Sequence, residues 1–235
     1  LIAAPVHRVE WRPSYRIVSS RFPPIGLFDA IASPEDLDAL YELEGMTNPR
    51  LREQLGEIAL LPPERRITGP GTTPIMAAFA HLNPEGSRFS PGYFGVYYAA
   101  QERNTAIAET TFHRERLLRR TSEPPCTLEM RCYLADINGD FIDIRGGWPA
   151  LHDPDSYIAS QRAAVEWRDQ GNNGVVYDSA RIRDGHCVAA FYPDLISPAR
   201  QAEHLYYHWD GSRISHVVVA GEVMETSTKH HRSRA

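Results

Sequence analysis

The second half of the chain alternates apolar and polar positions with the period of two that marks a half-buried strand. In "TLEMRCYLADI", Leu128, Met130, Cys132 and Leu134 fall on one face, with Glu129 and Arg131 on the other. Asn138-Gly139 follows, a dipeptide suited to a tight hairpin turn, so "DFIDIR" is predicted as the returning strand. Two more hairpins are predicted. "GVVYDSARI" and "HCVAAFYP" flank Asp184-Gly185, and "HLYYHWD" and "RISHVVVAG" flank Gly211.

Helical spacing belongs mainly to the first half. In "SPEDLDALYELEG", Ser33 suits an N-cap, Pro34 the first helical position, and Glu35 and Asp36 the positive helix end, with Gly45 as the stop. "NPRLREQLG" has the same grammar. "NTAIAETTFHRERLLRR" is predicted as a helix with Asn104 or Thr105 near its cap and Arg119 and Arg120 near its end. "PDSYIASQRAAVEWRDQG" is a helix that ends at Gly171. Residues 5–24 are extended and broken by Pro13, Pro23 and Pro24, residues 60–74 form a Pro- and Gly-rich loop before the short apolar segment "IMAAFAHL", and 94–100 is a buried strand. Several hairpins with few βαβ alternations predict an α+β fold, a single domain with a mixed, largely antiparallel sheet and flanking helices. The tail, 226–235, is predicted to be flexible.

Composition narrows the class. A chain of 235 residues with 42% hydrophobic and 23% charged positions has ordinary globular usage. Its net charge of −5 creates no global field for nucleic acid or an anionic membrane. The longest apolar runs are too short to span a bilayer. Cys126, Cys132 and Cys187 are odd in number and form no CxxC pair, so a reducing cytoplasm is the expected setting. No basic-then-apolar stretch opens the sequence.

Familiar catalytic signatures are missing. "GPGTTP" has no P-loop lysine, and no GxGxxG, HExxH or GxSxG occurs. The adjacent His230 and His231 have no compact partner spacing, and no metal site is expected. What remains is "EGSRFSPGYFGVYYAAQERNTAIAETTFH". Arg88 precedes a turn and could present a bidentate fork to phosphate, or be a solvated surface arginine. Tyr97 and Tyr98 point to opposite faces of a strand, and spacing alone does not say which meets a cleft. Glu109, among Ala106, Ile107 and Ala108, is either on an exposed stripe or in a partly buried pocket that must pair it. Ser179 ends a strand beside Asp178 and near Arg181, where a turn-forming serine is the plainer account.

Together, "GPG", "GSRFSPGYFGVYYAA", "TAIAETTFH" and "VVYDSARI" occur in an order that resembles the RES-domain family, named for a shared Arg, Glu and Ser. The resemblance runs from about residue 63 to 193 and maps those residues to Arg88, Glu109 and Ser179, with the family tyrosine at Tyr98. It implies an N-terminal extension packed on the core (1–60) and a RES catalytic domain (61–225). It also implies a fold similar to ADP-ribosyltransferase toxins and consumption of NAD by hydrolysis, phosphorolysis or ADP-ribosyl transfer. On that reading Arg88 clamps the pyrophosphate, Tyr98 stacks on or packs beside the nicotinamide ring and Ser179 positions the amide or ribose. Glu109 stabilises the charge that develops on the ribose. The implied partners are a helix-turn-helix antitoxin of the Xre type and, for a transferase, a protein acceptor. Where the family commonly has Gly-Arg-Trp-Asn, this chain has Ser87-Arg88-Phe89-Ser90. A non-catalytic nucleotide- or partner-binding module is the alternative from another class. An RNA-cleaving toxin is disfavoured by the acidic balance.

Overall fold

The computed structural model describes residues 4–20, 29, 58–220 and the backbone of 222–225. The helices expected at 33–45 and 48–56 and the tail after Glu225 lie outside the described residues. Eight strands form one sheet: β1 (Val6–Ser19), β2 (Tyr97–Ala100), β3 (Cys126–Asp143), β4 (Gly174–Asp178), β5 (His186–Ala190), β6 (Arg200–Trp209), β7 (Ile214–Val219) and β8 (Glu222–Glu225). All pairings are antiparallel except β3 with β4. Three α-helices flank the sheet among the described residues: α1 (Thr73–Ala80), α2 (Arg103–Thr121) and α3 (Ile158–Asp169). This is the α+β class expected from the hairpin pattern.

The strand β3, 18 residues long, organises the sheet. One edge pairs with β1 from Val6↔Ile142 to Ser19↔Met130. The other edge is divided, with β6 along Cys126–Leu134 and β4 at Ile142 and Asp143. Ile196 bridges Ile137 in the gap, and Asp136 is held there by the Ser197 hydroxyl. From β4 the chain of pairings runs through β5 and β2 and returns to β1 at Tyr15↔Ala100. Five strands therefore close into a ring, and β6, β7 and β8 extend from it as an arm. The strand β1 falls inside the 1–60 segment and is nonetheless part of this ring.

The Asn138-Gly139 hairpin does not form. Both residues lie inside β3, opposite Glu10 and Val9 of β1. The long register with β1 satisfies their backbone groups, and a local turn would give up all of those bonds. Gly139 stands on the buried face where Leu195 covers it, and a Cβ there would meet Leu195 Cδ2 at 2.9 Å. The predicted alternation also changes phase. Met130 and Cys132 are buried, but then Tyr133, Ala135, Ile137 and Phe141 take over and Leu134 is only half-buried. The register with β6 shifts between Arg131 and Tyr133, and such a bulge exchanges the two faces of a strand.

The remaining elements mostly follow their local signals, although α2 begins ahead of Asn104 and Thr105, with Glu102 at its N-cap and no side-chain cap hydrogen bond. The turn between β4 and β5 contains Asp184 in the left-handed region, and Gly211 turns β6 into β7 with φ of 100°. Helix α2 stops at Ser122 (φ 52°), where the Glu123 N–H reaches back to the Leu118 carbonyl, and Arg119 and Arg120 sit at its negative end. Helix α3 ends before Gly171 (φ 80°) with the matching bond from Asn172 to Trp167. Helix α1 buries Ile75, Met76 and Phe79, and α3 buries Ala163, Ala164 and Trp167.

Gly95 leads into β2 where the backbone of α1 passes closest. A Cβ at residue 95 would lie 2.3 Å from Phe79 Cα and 2.6 Å from the carbonyl oxygens of Ala78 and Phe79. Gly95→Ala is therefore expected to cost about 1–3 kcal/mol by overpacking, read as a lower urea midpoint with an unchanged slope. Gly147→Ala meets nothing within 4 Å and is the control, expected to leave the midpoint in place.

Candidate active site

A cleft of about 960 Å3 opens where the ring closes, and both Tyr15 and Ala100 line it. Helix α2 forms one wall. Ala106, Glu109, Thr110, His113, Arg114, Leu117 and Arg120 recur every three or four residues and share that face. The turn before β2 supplies Ser87 and Arg88, and Tyr98, Tyr157, Tyr177 and Cys187 complete the neighbourhood. Arg88, Tyr98 and Glu109, which are separate in the sequence, thus border one space. Ser179 is not among the lining residues and reaches the cleft through Glu109.

The Arg88 turn is tightly fixed. Ser87 and Ser90 exchange backbone hydrogen bonds at 2.7 and 3.4 Å, with Arg88 and Phe89 between them. Gln161 of α3 donates its side-chain amide to the carbonyl oxygens of Ser87 and Ser90. Phe89 is fully buried and packs edge-on against Tyr177 at 4.9 Å. The Ser90 hydroxyl donates to the Phe94 carbonyl. Of the three positions that depart from the family pattern, Phe89 and Ser90 therefore serve packing and the turn, and the Ser87 hydroxyl meets that of Tyr98.

Arg88 is only 8% exposed, so it is not a solvated surface arginine. Its Nη1 donates to the carbonyl oxygens of Leu151 and Asp153 at 3.0 and 2.9 Å, and the Tyr157 ring lies 4.6 Å from the guanidinium. Nε and Nη2 are left without a protein partner among the described residues. That same edge is the one Arg145 uses to hold both oxygens of Asp143. A planar fork of this kind suits a phosphate or carboxylate.

The tyrosine pair divides as strand geometry demands. Tyr97 is buried, whereas the Tyr98 hydroxyl accepts from the Phe89 N–H at 2.9 Å and shares a 2.8 Å hydrogen bond with Ser87. Burial pushes the Tyr98 phenol up to about 12, so it stays protonated.

Glu109 and Ser179 form a short polar contact, with Ser179 Oγ 2.6 Å from Glu109 Oε1. The direction of this bond is determined. Ser179 Oγ already receives the backbone N–H groups of Arg181 and Ile182, at 3.1 and 3.3 Å, so its own proton points to the carboxylate. The Ser179 N–H is tied to the Gly185 carbonyl, which fixes the serine on the β4–β5 turn. Glu109 Oε2 has no protein donor among the described residues and remains available to a ligand.

Three neighbours carry no signal in a single sequence. Gln161, Tyr157 and Arg181 buttress the site from α3 and the loops on either side. Arg181 donates to the Pro154 carbonyl and lies 3.2 Å from the Phe112 ring centroid. His113 follows Glu109 by one turn of α2 and was detectable, since its spacing puts it on the same helical face. Among the described residues no group of three His, Cys, Asp or Glu could hold a metal ion. No helix among them is long and apolar enough to cross a membrane.

Comparison with known proteins gives three findings. Residues 63–210 match the family model of the RES domain. The protein y4oC of Sinorhizobium fredii, described only as uncharacterized, is 32% identical over 214 residues, which is 86% of this chain and 84% of that protein. The crystal structure of the M. tuberculosis MbcT–MbcA toxin–antitoxin complex aligns with a TM-score of 0.43 and 13% identity, covering 87% of each chain.

His113 provides a titration test of the cleft's electrostatics. Partial desolvation beside the cleft wall, although the residue itself stays exposed, and then the positive charges of Arg181, Arg116, Arg88 and Arg114, lower its pKa from 6.5 to about 4. The ring is neutral at pH 7 and becomes cationic only as pH falls through about 4. The unfolded chain takes up this proton near 6.5, so the fold loses stability as pH drops across that window. The His113 ring signal in an NMR titration is expected to move well below pH 6. Arg116→Gln is expected to raise its midpoint.

Proposed function

The chain belongs to the RES domain family, and on that premise we propose that it is an NAD-consuming toxin of a bacterial type II toxin–antitoxin system. The observation that carries this reading is a carboxylate with one oxygen fixed by Ser179 and the other open, in a cleft shared with a buried arginine whose Nη1 alone is taken by the protein.

The chemistry asks for little beyond such a set. When the nicotinamide–ribose bond breaks, its electron pair goes to the pyridinium nitrogen, so nicotinamide leaves neutral and needs no acid. Positive charge develops on the ribose, and Glu109 stabilises it through its open oxygen. The incoming nucleophile (water, phosphate or a protein side chain) bonds to the same carbon and releases its proton to Glu109 or solvent. Arg88 clamps a phosphate of the dinucleotide through Nε and Nη2. Tyr98 packs beside the nicotinamide. Ser179 acts as a positioning residue, because its hydroxyl is committed to Glu109 and keeps the carboxylate in one orientation.

A toxin of this type is held in check by a cognate antitoxin, here a helix-turn-helix protein of the Xre type that covers the cleft. Cytoplasmic NAD is the substrate, and an ADP-ribose acceptor protein is the partner if the enzyme is a transferase. A binding module without chemistry is distinguished by retention of intact NAD.

Incubation with NAD, with and without phosphate, is expected to release nicotinamide. A folded protein that leaves NAD untouched under both conditions overturns the reading. Glu109→Gln is expected to fold and to lose on the order of 10²–10³ in turnover. Ser179→Ala removes one hydrogen bond to a charged group, and roughly 10- to 100-fold is expected to be lost. Equal activity of Glu109→Gln and wild type would reassign the key carboxylate.

A further inference from the structure

The cleft contains more positive charge than Arg88 accounts for. Arg16 of β1 and Arg114 of α2 line the same space. The Arg16 guanidinium donates through Nη1 to the Tyr98 carbonyl at 2.9 Å and lies 4.7 Å from the Tyr97 ring centroid. Its Nε is buried with no hydrogen-bond partner. Arg114 makes no hydrogen bond or ion pair among the described residues. It stands one turn beyond Thr110, whose hydroxyl is taken by Tyr207.

Several cations elsewhere in the protein are ion-paired. Arg65 meets Asp194, Arg119 meets Glu115, and Arg145 meets Asp143. Arg16, Arg88 and Arg114 join none of the ion pairs among the described residues. Neither of the two acids that line the cleft pairs with these arginines. Glu85 is held by Arg120 at 2.8 Å through both oxygens, and Glu109 by Ser179. Withdrawing a guanidinium from water without an anion is unfavourable, and burial holds both Arg16 and Arg114 below their ordinary pKa. Of the four unpaired arginines that line the cleft, Arg116 is exposed to solvent, and the other three are best explained by a ligand that brings the missing negative charge.

Tyr98 connects the two ends of this arrangement. Arg16 holds its carbonyl, while its phenol oxygen receives the N–H of Phe89, the residue after Arg88. Arg16 and Arg88 are thus fixed relative to one another through a single residue of β2.

We propose that Arg16 and Arg114 form a second oxyanion subsite of the cleft, which takes a phosphoryl group other than the one held by Arg88. That group is either a further phosphate of the dinucleotide or free inorganic phosphate that serves as the acceptor. The identity of the ligand rests on the function proposed above, whereas the existence of the subsite does not.

Inorganic pyrophosphate is the probe, titrated calorimetrically into the full chain at low salt. Wild type is expected to bind it, and Arg114→Gln and Arg16→Gln are each expected to weaken binding at least tenfold. Arg8→Gln, remote from the cleft, is expected to leave it unchanged. Arg16 also ties β1 to β2, so its variant is checked by thermal melting. Arg114 makes no such tie and keeps the test sharp if the Arg16 variant unfolds. Kinetics then separate the two sources. If the dinucleotide supplies the group, the variants raise KM for NAD or NADP without phosphate present and keep kcat within a few-fold. If free phosphate supplies it, KM for NAD is unchanged and stimulation by phosphate is lost. A wild type that ignores pyrophosphate and phosphate, or a folded Arg114→Gln that binds both as wild type does, overturns the subsite. Arginine-dependent pyrophosphate binding without NAD consumption supports the subsite and removes the catalytic reading alone.

Discussion

The divided edge of β3 is the constraint on which the architecture depends. One strand gives a whole edge to β1 and splits the other between β6 and β4. Because β4 is parallel to β3 and antiparallel to β5, the route back to β1 must pass through β5 and β2. The ring closes at the single pair Tyr15↔Ala100, where few backbone bonds are made and a gap is left. That gap is the cleft. The Arg16 bond to the Tyr98 carbonyl reinforces the weak seam from within, so closure of the ring and charge in the cleft come from the same side chain.

Charge is distributed unevenly as a consequence. The chain as a whole is acidic, with a net charge of −5, yet the cleft concentrates arginines whose neighbours are tyrosines, carbonyl groups and one histidine kept neutral. Low local polarity strengthens each of these fields, and a concave wall focuses them on whatever enters. The global balance therefore says little about the ligand. The local arrangement favours an anion that also presents a developing positive centre to Glu109.

Local signals in the sequence were sufficient where geometry is decided locally. The turns at Asp184-Gly185 and Gly211 formed as expected because the residues at the turn set the backbone direction. Helix α2 and the stop of α3 at Gly171 followed for the same reason. Asn138-Gly139 carried an equally strong turn signal and formed none, because the partner that decides its conformation lies more than a hundred residues away in β1. Leu134 was assigned to the wrong face because a bulge is invisible to simple alternation. Arg88, Tyr98, Glu109 and Ser179 could be located only through family resemblance. Their assembly around one cleft depends on ring closure, which no window of sequence contains. Arg16 and Gln161 went unnoticed for that reason too: one looks like any strand arginine and the other like any helix glutamine.

The serine at 179 shows why this set of residue types recurs as a unit. The atom at its Oγ must accept two backbone N–H groups from the following turn and at the same time donate to a carboxylate. A hydroxyl is the smallest group that does both. Alanine would leave two N–H groups and a carboxylate oxygen unsatisfied, and a carboxylate or amide would either repel Glu109 or overfill the turn. The glutamate in turn must come from a helix, since α2 is what holds its Cα at a fixed height over the cleft while the rest of that face supplies arginines. The arginine must sit in a tight turn rather than on a strand, because Nη1 has to be spent on the Leu151 and Asp153 carbonyls before the opposite edge can face a ligand in one orientation. Each residue is thus specified by the backbone element that carries it, and the departures at Phe89 and Ser90 are tolerated because those side chains face away from that task.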